Sequence, residues 1–283
     1  MKVLKKGSKG TEVKTLQGYL KQLGYEIDID GIFGNDTKKT VIQFQTDNNL
    51  SPDGAVGPNT WGKLNELIGS TTIYGVDVSH HNGIINWSNV NRNQAKFVIC
   101  KATQGKTFKD GLFNINMNQL AALNYIRGAY HFFTFKGVTA DEQVDNFLGC
   151  NIDFQIPGML PPVVDVELQG SESSDNYVFN NRSACANKLK SWLVSIENQT
   201  GRRPVIYTAK GFWNGYLGAP SGFETYDLWV ASYRNDRPTM PGTWPKYLMW
   251  QYTEGGHVSG IQGNVDRNIF NGSEKALKTL ALL

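Results

Sequence analysis

The sequence predicts a β/α barrel preceded by a small helical domain, and three observations lead there. From Ile73 onward, short apolar runs alternate with stretches of helical spacing. Near the N-terminus, Asp30-Gly31-Ile32-Phe33-Gly34-Asn35-Asp36-Thr37 recurs as Asp53-Gly54-Ala55-Val56-Gly57-Pro58-Asn59-Thr60, an offset of 23. Between the two regions lies Gly69-Ser70-Thr71-Thr72, small and polar enough for a linker. The chain has 283 residues, 40% apolar and 19% charged, which supplies a core and leaves too little charge for disorder. At ~150 residues per domain this length fits two domains, or one large barrel with an appendage.

In the first region, Val13, Leu16, Leu20 and Leu23 form an apolar stripe at helical spacing. Each repeated Asp-Gly turn then leads into a further helix, begun at Asn35 in one copy and at Pro58 in the other. Val41 and Phe44, then Trp61, Leu64 and Leu67, supply matching faces. The expectation is a three-helix domain over residues 1–69, a linker at 70–73 and a barrel over 74–283. The first module is nearly neutral, with nine Lys and eight acids over residues 2–68.

In the second region the β-type runs are Tyr74–Ser79, Lys96–Ala102, Arg127–Thr134, Pro162–Glu167, Arg203–Thr208, Asp227–Ser232 and Tyr247–Tyr252. Several are continuously apolar, as strands covered on both faces of a parallel sheet are. Ala140–Gly149 and Ser183–Gln199 have helical spacing, the second through Leu189, Trp192, Leu193 and Ile196. Little helix is expected between Asp227 and Asp266, so the fold class is α/β with an irregular barrel and not a regular eightfold unit.

Barrel enzymes place their chemistry at the C-terminal ends of strands, and four acids terminate apolar runs here: Asp77, Asp165, Glu167 and Asp266. On a strand, residues i and i+2 share a face, so Asp165 and Glu167 both project into the mouth. Two close carboxylates do not both ionise cheaply, and one is expected to stay protonated near neutrality. A protonated acid beside an ionised partner is what glycoside hydrolysis needs. An Asp-x-Glu tripeptide alone reads more readily as an ordinary strand end paired with Lys or Arg; Asp77 and Asp266 weigh against that. Tyr130, Tyr207, Tyr233, Trp250 and Tyr252 sit in or at the ends of the apolar runs and are expected, as a group, to stack on sugar rings. Lys101 and Gln251 would supply fixed polar partners, with Lys101 also a charge partner for the acids.

Other chemistries fit less well. The net charge of +3 is too mild for a nucleic-acid partner, and no apolar run reaches the ~18 residues of a membrane helix. The basic N-terminus lacks the apolar stretch of a secretory signal. Cys100, Cys150 and Cys185 match neither a metal spacing nor an even disulfide framework. The four histidines include the adjacent His80 and His81, expected to point apart, and show no zinc spacing. There is no Gly-x-Ser-x-Gly elbow or phosphate-binding Gly loop, so no metal or cofactor is expected.

Residues 74–270 resemble glycoside hydrolase family 25, the Chalaropsis-type lysozymes. The resemblance is carried by Gly75-Val76-Asp77-Val78-Ser79, Phe97-Val98-Ile99-Cys100-Lys101-Ala102-Thr103, Gly128-Ala129-Tyr130-His131-Phe132, Pro162-Val163-Val164-Asp165-Val166-Glu167, Leu228-Trp229-Val230-Ala231-Ser232-Tyr233, Met249-Trp250-Gln251-Tyr252 and Val265-Asp266. The first module resembles the three-helix peptidoglycan-binding domain through Leu16-Gln17, Leu23-Gly24-Tyr25, Asp30–Gly34, Phe44-Gln45 and Asp53–Gly57.

The resemblance implies hydrolysis of the β-1,4 bond from N-acetylmuramic acid to N-acetylglucosamine, in a barrel with fewer than eight helices. It maps Glu167 to the proton donor, Asp165 to the carboxylate beside it, and Asp77 and Asp266 to the cleft floor. Attack by the substrate's 2-acetamido group, oriented by Asp165, and inversion with Asp77 or Asp165 activating water both remain open. Gln104 stands where many members of that family carry Glu, one negative group fewer. The partner implied is bacterial peptidoglycan, reached from the bacterial cytoplasm as a phage endolysin at lysis or as an exported autolysin; the oligomeric state is left open. The rival readings are a wall-binding protein without catalysis and an N-acetylglucosaminidase or chitinase-like hydrolase.

Overall fold

Three helices build the N-terminal unit: α1 (Thr11–Gln22), α2 (Asn35–Asp47) and α3 (Pro58–Gly69). The computed structural model describes residues 3–69, 72–233 and 237–283, and the chain divides into two units, residues 1–72 and 73–283. Val13, Leu16 and Leu20 of α1, Val41 and Phe44 of α2, and Trp61 and Leu64 of α3 meet in one core. Each such side chain, fully buried, stabilises the unit by about 1.5–3 kcal/mol.

The repeat has a hydrogen-bonding reason. Gln17 Nε2 donates to Asp30 Oδ1 at 2.7 Å, Ile32 O at 3.2 Å and Thr37 Oγ1 at 3.1 Å, while its Oε1 accepts from Gly31 N at 2.8 Å. Gln45 repeats the set with Asp53 (2.9 Å), Ala55 O (2.8 Å), Thr60 (3.1 Å) and Gly54 N (2.9 Å). Each buried glutamine thus ties the preceding helix to the turn and to the next helix. The turns require glycine because Gly31 and Gly54 have φ of 78° and 72°.

The second unit is a closed eight-stranded barrel. Its strands are β1 (Ile73–Val78), β2 (Phe97–Gln104), β4 (Ile126–Phe132), β5 (Val163–Val166), β6 (Val205–Ala209), β7 (Asp227–Ala231), β8 (Met249–Gly256) and β9 (Val265–Phe270); β3 (Phe108–Lys109) is a short hairpin partner at the edge of β2. Neighbours run parallel from β1 through β8, and β9 closes the ring antiparallel to both β8 and β1. The helices α4 (Phe113–Ala122), α5 (Ala140–Leu148), α6 (Glu172–Asn180), α7 (Arg182–Thr200) and α8 (Glu274–Leu280) complete the unit. That is five α-helices among the described residues, fewer than eight, with a π-helical turn at Gly211–Tyr216 between β6 and β7.

Strand alternation sorts the apolar side chains into two cores. Ile73, Phe97, Ile99, Val163, Val205, Met249 and Phe270 fill the barrel interior, whereas Val76, Val98, Cys100, Val164, Ile206 and Val230 belong to the core around it, with α5 and α7. A Cβ on Gly75 would lie 2.4 Å from the Phe97 ring, so the interior closes only with glycine there.

All seven β-type runs are strands, and the two helical stretches are α5 and α7. Several features differ from the expectation. Asp266 does not end a run: it is the second residue of β9, a strand the apolar pattern did not mark. Because β9 is antiparallel to its neighbours, its start lies at the same mouth as the ends of the parallel strands. Ile73, placed in the linker, is buried as the first residue of β1 and pairs with Phe270; Ser70 and Thr71 of that linker lie outside the described residues. Nor do His80 and His81 point apart: they occupy a 3-10 turn, their ring centroids 4.0 Å from each other.

Candidate active site

The carboxylates converge where the expected strand ends meet. Asp77 on β1, Asp165 on β5, Glu167 just beyond β5 and Asp266 on β9 line one cleft with about 290 Å3 of open space. Tyr130 on β4, Tyr207 on β6, Trp229 on β7 and Gln251 on β8 form the rest of its wall. Alternation accounts for the set. Asp165 and Glu167 are two apart about outward-facing Val166, and the register places Asp77 opposite Asp266 and Asp165 opposite Tyr207.

Asp77 is held by side-chain amides. Gln251 Nε2 donates to its Oδ2 at 3.0 Å and Asn268 Nδ2 donates to the same oxygen at 2.8 Å. Burial pushes the Asp77 carboxyl up, while hydrogen bonds from Asn268, Gln251 and Asp266 oppose that shift. For Asp266 burial, then the Asp77 charge, raises the value to about 9, so Asp266 carries the proton between the two. Burial and then the Glu167 charge raise Asp165 well above the carboxylate range, and its Oδ1 is buried without a hydrogen-bond partner. Glu167 is pushed up to about 7, by burial first and the Asp77 charge second. At neutrality the cleft therefore offers protonated carboxyls as well as an anion.

Most of the expected binding side chains stand at this cleft. Tyr207 Oη donates to Gln251 Oε1 at 2.8 Å, and Tyr233, half exposed, donates to the same oxygen at 3.0 Å. Lys101 stands beside the acids on β2 and donates to Gln104 Oε1 at 2.8 Å. Burial pulls its ammonium value down, against the charges of Asp165, Asp110 and Glu167. Gln104 thus serves as a neutral acceptor for Lys101.

Trp250 and Tyr252 do not join them. They flank inward-facing Gln251, so alternation turns both to the outer core, where Trp250 Nε1 donates to Ser232 O at 2.7 Å. One cleft residue, Trp229, and one residue behind the cleft, Asn268, went unmarked by sequence reasoning. Trp229 packs edge-on against Tyr207, with centroids 4.7 Å apart, and its inward parity between Leu228 and Val230 was a usable signal. Asn268 is fully buried; no local pattern distinguishes it.

His131 is a core residue, between Thr103 and Gln143 and stacked on Trp192. Among the described residues no group of three or more His, Cys, Asp or Glu side chains is arranged to hold a metal ion, and no helix is long and apolar enough to cross a membrane. The three cysteines are free thiols.

A barrel mouth with a glutamic acid protonated near neutrality, beside further carboxyls, is the equipment of a glycoside hydrolase. The chain belongs to glycosyl hydrolases family 25, whose family model matches residues 76–261. A second model, putative peptidoglycan binding domain, matches residues 9–64. Lysozyme M1 of Streptomyces globisporus is 34% identical over 218 residues, covering 74% of this chain and 71% of that protein. The N,O-diacetylmuramidase of Chalaropsis sp is 30% identical over 213 residues, 69% of this chain and 96% of that one. Among solved structures, the bacterial lysozyme from Streptomyces coelicolor superposes with a TM-score of 0.70 at 33% identity, covering 75% of this chain and 97% of that one.

Proposed function

We propose that this protein is a wall-directed muramidase that cleaves the β-1,4 bond from N-acetylmuramic acid to N-acetylglucosamine, with Glu167 as its proton donor. The observation that carries the reading is the Glu167 carboxyl, protonated up to about pH 7 at the mouth of a family 25 barrel. Relatives with the same barrel are named lysozyme and N,O-diacetylmuramidase.

The orphan Oδ1 of Asp165 favours the substrate-assisted route. A buried acceptor without a partner costs about 1–3 kcal/mol, which an N–H of the sugar's 2-acetamido group recovers on binding. So oriented, the acetamido oxygen attacks the anomeric carbon and forms the new C–O bond as the glycosidic C–O bond breaks. Glu167 gives its proton to the departing oxygen; water then adds to the anomeric carbon as the acetamido C–O bond breaks and the acetamide is restored, and the Glu167 carboxylate takes a proton from that water. Inversion with Asp77 as the base is disfavoured, because Gln251, Asn268 and Asp266 already donate to that carboxylate and occupy acceptor sites an attacking water would need. Its charge instead stabilises the positive character developing on the ring.

Tyr130, Tyr207, Tyr233 and Trp229 offer aromatic faces to the sugars, with Lys101 and Gln251 as polar partners. The N-terminal unit keeps the barrel at the wall, raising its effective concentration on the insoluble substrate. Such a protein works on cell-wall peptidoglycan in the manner of an endolysin or autolysin, and its near-neutral charge gives nucleic acid no foothold. Glu167→Gln tests the assignment: it should abolish release of reducing ends while leaving sedimentation with purified walls unchanged. A fully active Glu167→Gln enzyme would overturn it.

A further inference from the structure

Behind Asp77 a chain of hydrogen bonds runs through three strands. Trp229 Nε1 on β7 donates to Asn268 Oδ1 on β9 at 2.8 Å, and Asn268 Nδ2 donates to Asp77 Oδ2 on β1 at 2.8 Å. Asn268 is fully buried and Trp229 nearly so, so neither has water as an alternative partner. A side-chain amide can be turned end for end with little change in shape, and its surroundings decide which end faces where. An indole N–H only donates. Facing Trp229, it accepts one orientation of Asn268, with the oxygen toward the indole and the NH2 group toward Asp77.

The second amide on Asp77 is held less strictly. Gln251 Oε1 receives Tyr207 and Tyr233, but a phenol hydroxyl also accepts, so a turned Gln251 would still find partners there. The fixed donor to Asp77 is Asn268, and Trp229 is what fixes it.

We propose that Trp229 and Asn268 are positioning residues for this hydrolase: Trp229 sets the orientation of the Asn268 amide, and Asn268 holds Asp77 as an oriented anion. This rests on the reading of Asp77 as an electrostatic group in the muramidase site. A turned Asn268 would aim its carbonyl oxygen at the Asp77 carboxylate and its NH2 at the indole N–H, two repulsive contacts in a dry interior. The aromatic ring on β7 therefore has a role besides forming the cleft wall.

A double-mutant cycle tests the proposal on soluble peptidoglycan fragments, with kcat and KM measured separately. Asn268→Leu, close in shape and without polar atoms, should lower kcat roughly 10- to 100-fold, the loss expected for one hydrogen bond to a charged group, with KM little changed. Trp229→Phe keeps an aromatic ring and loses the N–H, and should lower kcat by roughly tenfold in the same manner. In the double variant the effects should not multiply, since Trp229 acts through Asn268. Asn268→Val, nearer to asparagine in volume, suited to a strand and equally without polar atoms, also removes the donor to Asp77, so it should lose as much kcat as Asn268→Leu; it decides the matter if the leucine variant does not fold. Wild-type kcat in a folded Asn268→Leu or Asn268→Val enzyme, or fully multiplicative losses in the double variant, would overturn the proposal. A wild-type enzyme that releases no muramic-acid ends would instead sink the muramidase reading on which it rests.

Discussion

Burial and the neighbouring Asp77 charge keep the Glu167 carboxyl protonated up to about pH 7, and the reaction consumes that proton. Below about 7 the acid is present in its working form; as pH rises through that value the carboxyl ionises and the proton is lost. The kcat/KM of the free enzyme should therefore fall about tenfold per pH unit on an alkaline limb centred near 7, read from a pH–rate profile on soluble fragments. A flat profile from pH 6 to 9 would contradict the role given to Glu167. The Asp165/Glu167 pair was legible because strand alternation puts residues two apart on one face. The same alternation, applied to β8, would have removed Trp250 from the site, since it neighbours Gln251; applied to β7 it would have added Trp229. Asn268 was not legible at all. Its role depends on Trp229 and Asp77, 39 and 191 residues away in the chain.

Among the elements, the N-terminal turns were legible from Asp-Gly repetition, as were the starts of α2 at Asn35 and α3 at Pro58. Hidden was the reason the repeat exists: Gln17 and Gln45, each inside the preceding helix, carry four hydrogen bonds apiece across to the turn and the next helix. Gln45→Ala removes one such set and leaves the Gly54 N–H without its partner. It should destabilise the N-terminal unit by about 2–3 kcal/mol, seen in calorimetry as a lower transition for that unit with the barrel's transition unmoved. An unchanged transition would mean that the glutamine is dispensable. In the barrel, the helices that escaped notice are the weakly patterned ones. The α4 segment FNINMNQLAA holds three asparagines, poor helix formers, and α6 is polar and short; both are helical because they pack within the barrel unit. Strand β9 escaped because Asp266, Arg267 and Asn268 interrupt its apolar pattern. Two of those residues serve the cleft.

Across the molecule, the cleft is built at a cost in stability that depends on pH. The Asp266 carboxyl, ordinarily near 3.8, rises to about 9 in the folded protein, so the folded state retains a proton that the unfolded chain releases. Its contribution is fully present below about pH 4 and is lost as pH rises through about 9. Asp266→Asn keeps a neutral donor toward Asp77, and should raise Tm at pH 8 while leaving it nearly unchanged at pH 3.5. A lower Tm at pH 8 would show that Asp266 is ionised in the folded state. The barrel and its helix deficit were legible at this scale, because alternation of strands and helices sets the class and the sparse stretch after Asp227 limits the helices. Closure of the ring by an antiparallel strand was not legible, since pairing direction is a property of two distant segments.

The bond that Glu167 helps to break separates a muramidase from the rival hydrolases. Digestion of purified peptidoglycan, borohydride reduction of the products and mass spectrometry of the reduced terminal sugar identify that bond directly. Muramitol ends are the predicted result, absent from the Glu167→Gln digest. Glucosaminitol ends would mean the same barrel cutting the other bond of the polymer, and the absence of new ends would contradict catalysis altogether.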